Sequence, residues 1–129
     1  MRWPPSWATL WLLPALFLGF TVHELAHSLV AYLLGDTSQV ERNRLSFNPL
    51  RHVSWLGVAT FLLFGFGWAK PVWIDHSRFR LGNRAFGTFL VSIAGASANL
   101  AVALVALAGM VLTIALVGLV EGAPAMSGA

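Results

Sequence analysis

Residues 18–32 read LGFTVHELAHSLVAY. Two histidines and a glutamate stand in the middle of a run that is otherwise apolar from Trp7 to about Leu34. As a helix rising about 1.5 Å per residue, such a run reaches about 40 Å, enough to cross a hydrocarbon layer of about 30 Å with some tilt. It is therefore read as a transmembrane helix. An ionisable side chain at depth in a bilayer costs roughly 2 to 3 kcal/mol or more, so three of them within one and a half turns call for a purpose. A cleaved signal peptide is the competing reading, because Arg2 precedes the apolar residues. The length of the run and its further apolar turn from Ser28 to Leu34 weigh against that. Pro14 is expected to kink the helix ahead of the histidines, and Gly35-Asp36 to stop it.

The rest of the chain fits this setting. Of its 129 residues 57% are hydrophobic and 10% charged, and the mean hydropathy is +0.74, more apolar than one soluble core requires. The fold class read from the sequence is an all-α integral membrane protein. The formal charge is +3, and seven of the eight basic residues lie between Arg42 and Arg84. They flank apolar runs, so the expected partner is a lipid bilayer and no nucleic acid. Without cysteine there is neither a disulfide framework nor a thiolate metal site.

A second apolar stretch, about Val53 to Trp68, is short for a span and carries Gly57, Gly65 and Gly67. A third, about Ala85 to Val120, is rich in Gly, Ala and Ser, as close helix packing in membranes favours, and reads as one long tilted helix. If the middle segment crosses, five basic residues lie on one side and three on the other. If it dips in and returns, seven share one face opposite Arg2. The positive-inside rule favours the re-entrant arrangement, with both polar loops cytoplasmic and both termini outside, while a short span in a thin membrane remains open. The 129 residues read as a single membrane domain: two long helices with the short segment between them.

The opening stretch also carries chemistry. His23 and His27 are four residues apart, so on a helix they project from one face and can share a tetrahedral zinc. Glu24 can reach a water at that metal. This is the HExxH constellation of zinc metalloproteases, in which the carboxylate acts as general base and then passes the proton to the leaving amine. The plainer alternative is a set of interhelical hydrogen-bonding groups.

The pieces HELAHSLVAYLLGD (23–36), NRLSFNPLRHVSWLG (43–57), FGWAKPV (66–72) and VSIAGASANLAVAL (91–104) occur in this order. Together they resemble the site-2 protease family of intramembrane zinc metalloproteases, in its small bacterial branch. The resemblance implies His23 and His27 as zinc ligands and Glu24 as catalytic base. AGASAN is similar to the family's Gly-Pro-x-x-Asn element and implies Asn99 near the active site, as an oxyanion or substrate-positioning group. A packing hydrogen bond is its alternative. GFGWAKPV resembles the family's re-entrant or edge-strand segment, where an unwound substrate could pair its backbone. The implied location is the bacterial cytoplasmic membrane.

The sequence departs from the family pattern at Ala96, where proline is usual, and at Ser54-Trp55, where Asp-Pro is common. It also contains no Leu-Asp-Gly, the motif whose aspartate the family uses as third zinc ligand. Asp36 would lie about 13 Å beyond His27 along the helix. Asp75 and Glu41 read as solvated loop charges, His52 would serve only if its loop folded back, and Glu121 lies at the far end of the last helix. Catalytic zinc takes three protein ligands plus water, so the expectation is an intramembrane endopeptidase acting on transmembrane peptides and completed by another chain or protomer. The alternative is an inactive relative serving as a structural or assembly subunit of a membrane complex. A metal or proton carrier is the weakest reading, because the third apolar run has no ionisable residue between Ala85 and Val120.

Overall fold

The computed structural model describes residues 10–122, with side chains through Leu119. Among them the chain is all-helical, with no strand. The helices are α1 (Leu13–Leu34), the single turn α2 (Ser38–Glu41), α3 (Trp55–Phe64) and α4 (Arg84–Gly122), with 3-10 turns at Pro49–Arg51 and His76–Arg78. Leu13–Leu34 and Arg84–Leu119 are long and apolar enough to cross a membrane.

Leu10 is helical, Trp11 and Leu12 form a turn, and α1 starts at Leu13 with Pro14 in its first turn, where the missing N–H has no intrahelical partner to lose and the fixed φ already suits the helix. The sequence expectation started the helix at Trp7; residues 7–9 lie outside the described residues. At the other end Gly35 adopts a left-handed conformation (φ 119°), and its N–H meets the carbonyls of Ala31 and Tyr32. This is the expected stop.

The middle segment goes out and comes back. Ser54 caps α3 by accepting the Gly57 amide at 3.2 Å, and Gly65 ends it in the left-handed region. The chain then returns until Ala69 pairs with Val53 in an isolated antiparallel bridge, and the Lys70 amide donates to the His52 carbonyl at 2.6 Å. A ten-residue helix spans only about 15 Å, so closure of its two ends on each other is geometrically a hairpin. Gly57 and Gly67 are its points of closest approach: a Cβ on the first would strike the Trp68 carbonyl, and on the second the Gly57 carbonyl.

Contacts divide the chain into residues 1–99 and 100–129. In the second unit every described side chain, Leu100 to Leu119, is exposed on helix α4. The first unit holds a small core of Ala31, Leu34 and Val91, against which Val30, Ile74, Phe79 and Leu90 pack.

Beside that core lies a buried polar brace. The fully buried Asp36 accepts hydrogen bonds from the Ser38 amide (3.1 Å), Gln39 Nε2 (2.8 Å) and the Asp75 amide (2.9 Å). Burial by itself would raise the Asp36 pKa, but bonds to Ser38, Asp75 and Gln39 outweigh it and hold the carboxyl below its ordinary value. Gln39 also donates to the Trp73 carbonyl at 2.8 Å, and Arg44 to the carbonyls of Arg51 (3.0 Å) and Pro71 (3.2 Å). In extended backbone the polar groups of alternate residues point to opposite edges. Side chains of Asp36, Gln39 and Arg44 thus occupy the edge presented by residues 71, 73 and 75.

Candidate functional site

His23, Glu24 and His27 all lie on α1, and the helical repeat brings the two imidazoles together as their spacing predicts. Their Nε2 atoms are 3.1 Å apart, with the rings nearly perpendicular at 79°. Two nitrogens bound to one tetrahedral zinc at about 2.0–2.1 Å stand about 3.3 Å from each other, so the pair fits that ion.

The His27 Nδ1 is 2.6 Å from the Val91 carbonyl oxygen. A carbonyl only accepts, so Nδ1 carries the proton and the neutral ring keeps its lone pair on Nε2. A metal-ligating histidine is commonly held this way, its second nitrogen bonded to a carbonyl or carboxylate. Gly95 faces the same point from α4: a Cβ there would stand 2.5 Å from His27 Nε2 and 2.6 Å from His23 Nε2. Its absence leaves room beside both nitrogens. Two ring nitrogens 3.1 Å apart, a seated ring and an open cradle together make a site into which a metal ion fits.

Glu24 is buried. It faces the Val72 backbone amide and lies within electrostatic range of His27, His52 and Arg44. With His27 it borders a cleft of about 340 Å³ whose wall includes Pro71, Val72 and Ile74. The residues of GFGWAKPV that follow the hairpin therefore line the same cleft as the general-base candidate.

Asn99 also reaches the histidines, its Nδ2 lying 3.4 Å from His23 Nδ1. The structure thus brings together all four residues singled out in the sequence, across the α1–α4 contact within the first unit. It does not add a third ligand: among the described residues no group of three or more His, Cys, Asp or Glu side chains could hold a metal. Asp36 is committed to its brace. Asp75 bonds Ser77 and Arg78, and Glu41 pairs with Arg78 at 3.5 Å. His52 is fully buried, with Nε2 donating to the Ser46 carbonyl at 2.6 Å. The Glu121 side chain lies outside the described residues.

Sequence reasoning missed Gly95 and Val91. One acts through a missing side chain and the other through a backbone carbonyl, and only the small-residue pattern around AGASAN hinted at a close approach.

No family model matches the chain, and no solved structure matches it. Among curated proteins it is 42% identical over 95 residues to "Putative zinc metalloprotease YwhC" of Bacillus subtilis (strain 168). The match takes in 74% of this chain and 42% of that protein, so the chain spans less than half the length of the relative. This likeness supports a metalloprotease family for the chain.

Proposed function

We propose that this chain carries the core of a zinc metalloendopeptidase of the site-2 protease type, which hydrolyses peptide bonds of transmembrane substrates within the bilayer. The observation that carries the reading is the convergence of His23 and His27 Nε2 on the space left by Gly95, with Glu24 beside them. His23 and His27 would hold zinc, and a third ligand would come from outside the described residues. Bound there, zinc supplies a Lewis acid that polarises the scissile carbonyl and lowers the pKa of water.

Glu24 takes the proton from the attacking water and returns it to the leaving amine, so the carboxylate ends each cycle as it began. Its burial keeps bulk water from competing for that proton. Residues 71, 73 and 75 are already bonded along one edge by Arg44, Gln39 and Asp36. The opposite edge, at Val72 and Ile74, borders the cleft. An unwound substrate segment adds there as a further strand, its scissile bond beside Glu24. Both polar loops face the cytoplasm of a bacterial cell and the termini lie outside, in agreement with the basic residues that flank the hairpin.

A second reading is an inactive relative that serves as a small subunit of a membrane complex; among the described residues no third His, Cys, Asp or Glu joins the two histidines. Zinc stoichiometry of the detergent-purified protein, beside a His23→Ala, His27→Ala double variant, separates the two. Near one zinc per chain, absent from the variant, supports the enzyme. No zinc above the variant's background sinks it.

A further inference from the structure

Of the two histidines only His27 has its second nitrogen seated on an unambiguous acceptor, the Val91 carbonyl. The second nitrogen of His23 meets Asn99, whose Nδ2 stands 3.4 Å away, while Asn99 Oδ1 is buried with no hydrogen-bond partner. Amide donor and acceptor ends have the same shape, so a half-turn about the last side-chain bond exchanges them. With Nδ2 toward the ring, His23 Nδ1 accepts, its proton sits on Nε2, and no lone pair is left for a metal. With Oδ1 toward the ring, the orphaned oxygen gains a partner, Nδ1 carries the proton, and the Nε2 lone pair faces the cradle beside that of His27.

We propose that Asn99 is a positioning residue for His23, whose carboxamide bonds Nδ1 and so selects the ring tautomer that offers Nε2 to the metal. This rests on the zinc-site reading above and gives Asn99 a role through His23 instead of on the substrate. The amide serves both states of the pair. Its NH2 end supports the metal-free arrangement, in which His23 Nε2 donates to His27 Nε2, and its oxygen supports the arrangement that binds. The Gly95 carbonyl also lies near the His23 ring and is the competing acceptor.

The test is zinc affinity by chelator competition on the full chain in detergent, for the parent, Asn99→Leu and Asn99→Asp. Leu keeps the approximate volume and removes both hydrogen-bonding ends; Asp keeps an acceptor. The expected result is a loss of about 10- to 100-fold for Leu, the usual effect of removing a partner behind a metal-bound histidine, with Asp close to the parent or tighter. Leu binding as well as the parent overturns the proposal and leaves the job to Gly95. Equal losses in Leu and Asp also overturn it, since the amide then only fills space.

A second measurement needs no metal. In 15N-histidine spectra of the metal-free protein, His23 is expected to show one dominant tautomer in the parent and a mixture in Asn99→Leu, with His27 unchanged. The same His23 tautomer in both overturns the proposal. A parent that takes up no zinc overturns the zinc-site reading alone, and the spectra still decide the part played by Asn99.

Discussion

His23 and His27 meet through their Nε2 atoms at 3.1 Å, at the point of α1 that Gly95 of α4 faces. A glycine of the partner helix, Gly95, makes that meeting accessible. In soluble helices a mid-helix glycine costs about 1 kcal/mol relative to alanine. Here that cost leaves the space that an ion shared by two imidazoles requires.

Gly95→Ala is accordingly expected to uncouple metal binding from helix stability. The new methyl would lie 2.5–2.6 Å from both ring nitrogens and push them apart, lowering zinc affinity by about 10- to 100-fold or more, while circular dichroism shows undiminished helix. Gly109→Ala, where a Cβ meets nothing within 4 Å, is the control and should leave zinc binding unchanged.

Glu24→Gln should keep the zinc and lose the chemistry. The amide fills the same buried place but takes no proton, so cleavage of a transmembrane peptide by the assembled enzyme should fall by about 10²- to 10⁴-fold. If the variant cuts at the parent rate, Glu24 is not the base.

Asp36 predicts an acid limb. Its folded pKa lies below the ordinary carboxylate value, so the unfolded chain binds the proton more readily. The stabilisation is then complete above the unfolded pKa of about 4 and is lost as pH falls through the lower folded value. Melting temperature in detergent should drop as pH falls below about 4 in the parent and more weakly in Asp36→Asn. At neutral pH the variant should be less stable by about 1–3 kcal/mol, because it loses charged acceptors for buried donors.

The hairpin predicts a labelling pattern. The ends of the α3 excursion pair through Val53 and Ala69, so the loops on either side of it open to the same face. The chain has no cysteine, so single cysteines at Ser46 and Ser77 should both react with an impermeant maleimide from the cytoplasmic side of bacterial vesicles. Labelling from opposite sides would show a crossing segment.

A companion test is Gly57→Ala, whose Cβ would strike the Trp68 carbonyl. Overpacking against rigid backbone costs typically about 1–3 kcal/mol, and the loss should appear as a lower melting temperature and faster proteolysis after Trp68.

The sequence alone determined what depends on local periodicity and on the price of charge in an apolar setting. Helical spacing put His23 and His27 on one face of α1, and apolar run length marked α1 and α4 as long enough to cross a membrane. The pair Gly35-Asp36 was legible as a stop, because termination is a property of neighbouring residues. Pro14 was legible as an interruption of the helical run, but a proline that kinks a helix and one that starts it differ only in where the first hydrogen bond forms, which residue type does not show. Tertiary structure alone decided that Val53 and Ala69 meet, that the Val91 carbonyl seats His27 and that Gly95 opens the cradle. Each of these is a contact across many residues of chain, made by backbone atoms or by the absence of a side chain. Such contacts leave little trace in residue type, because every residue has the same carbonyl and a small residue has many reasons to be small.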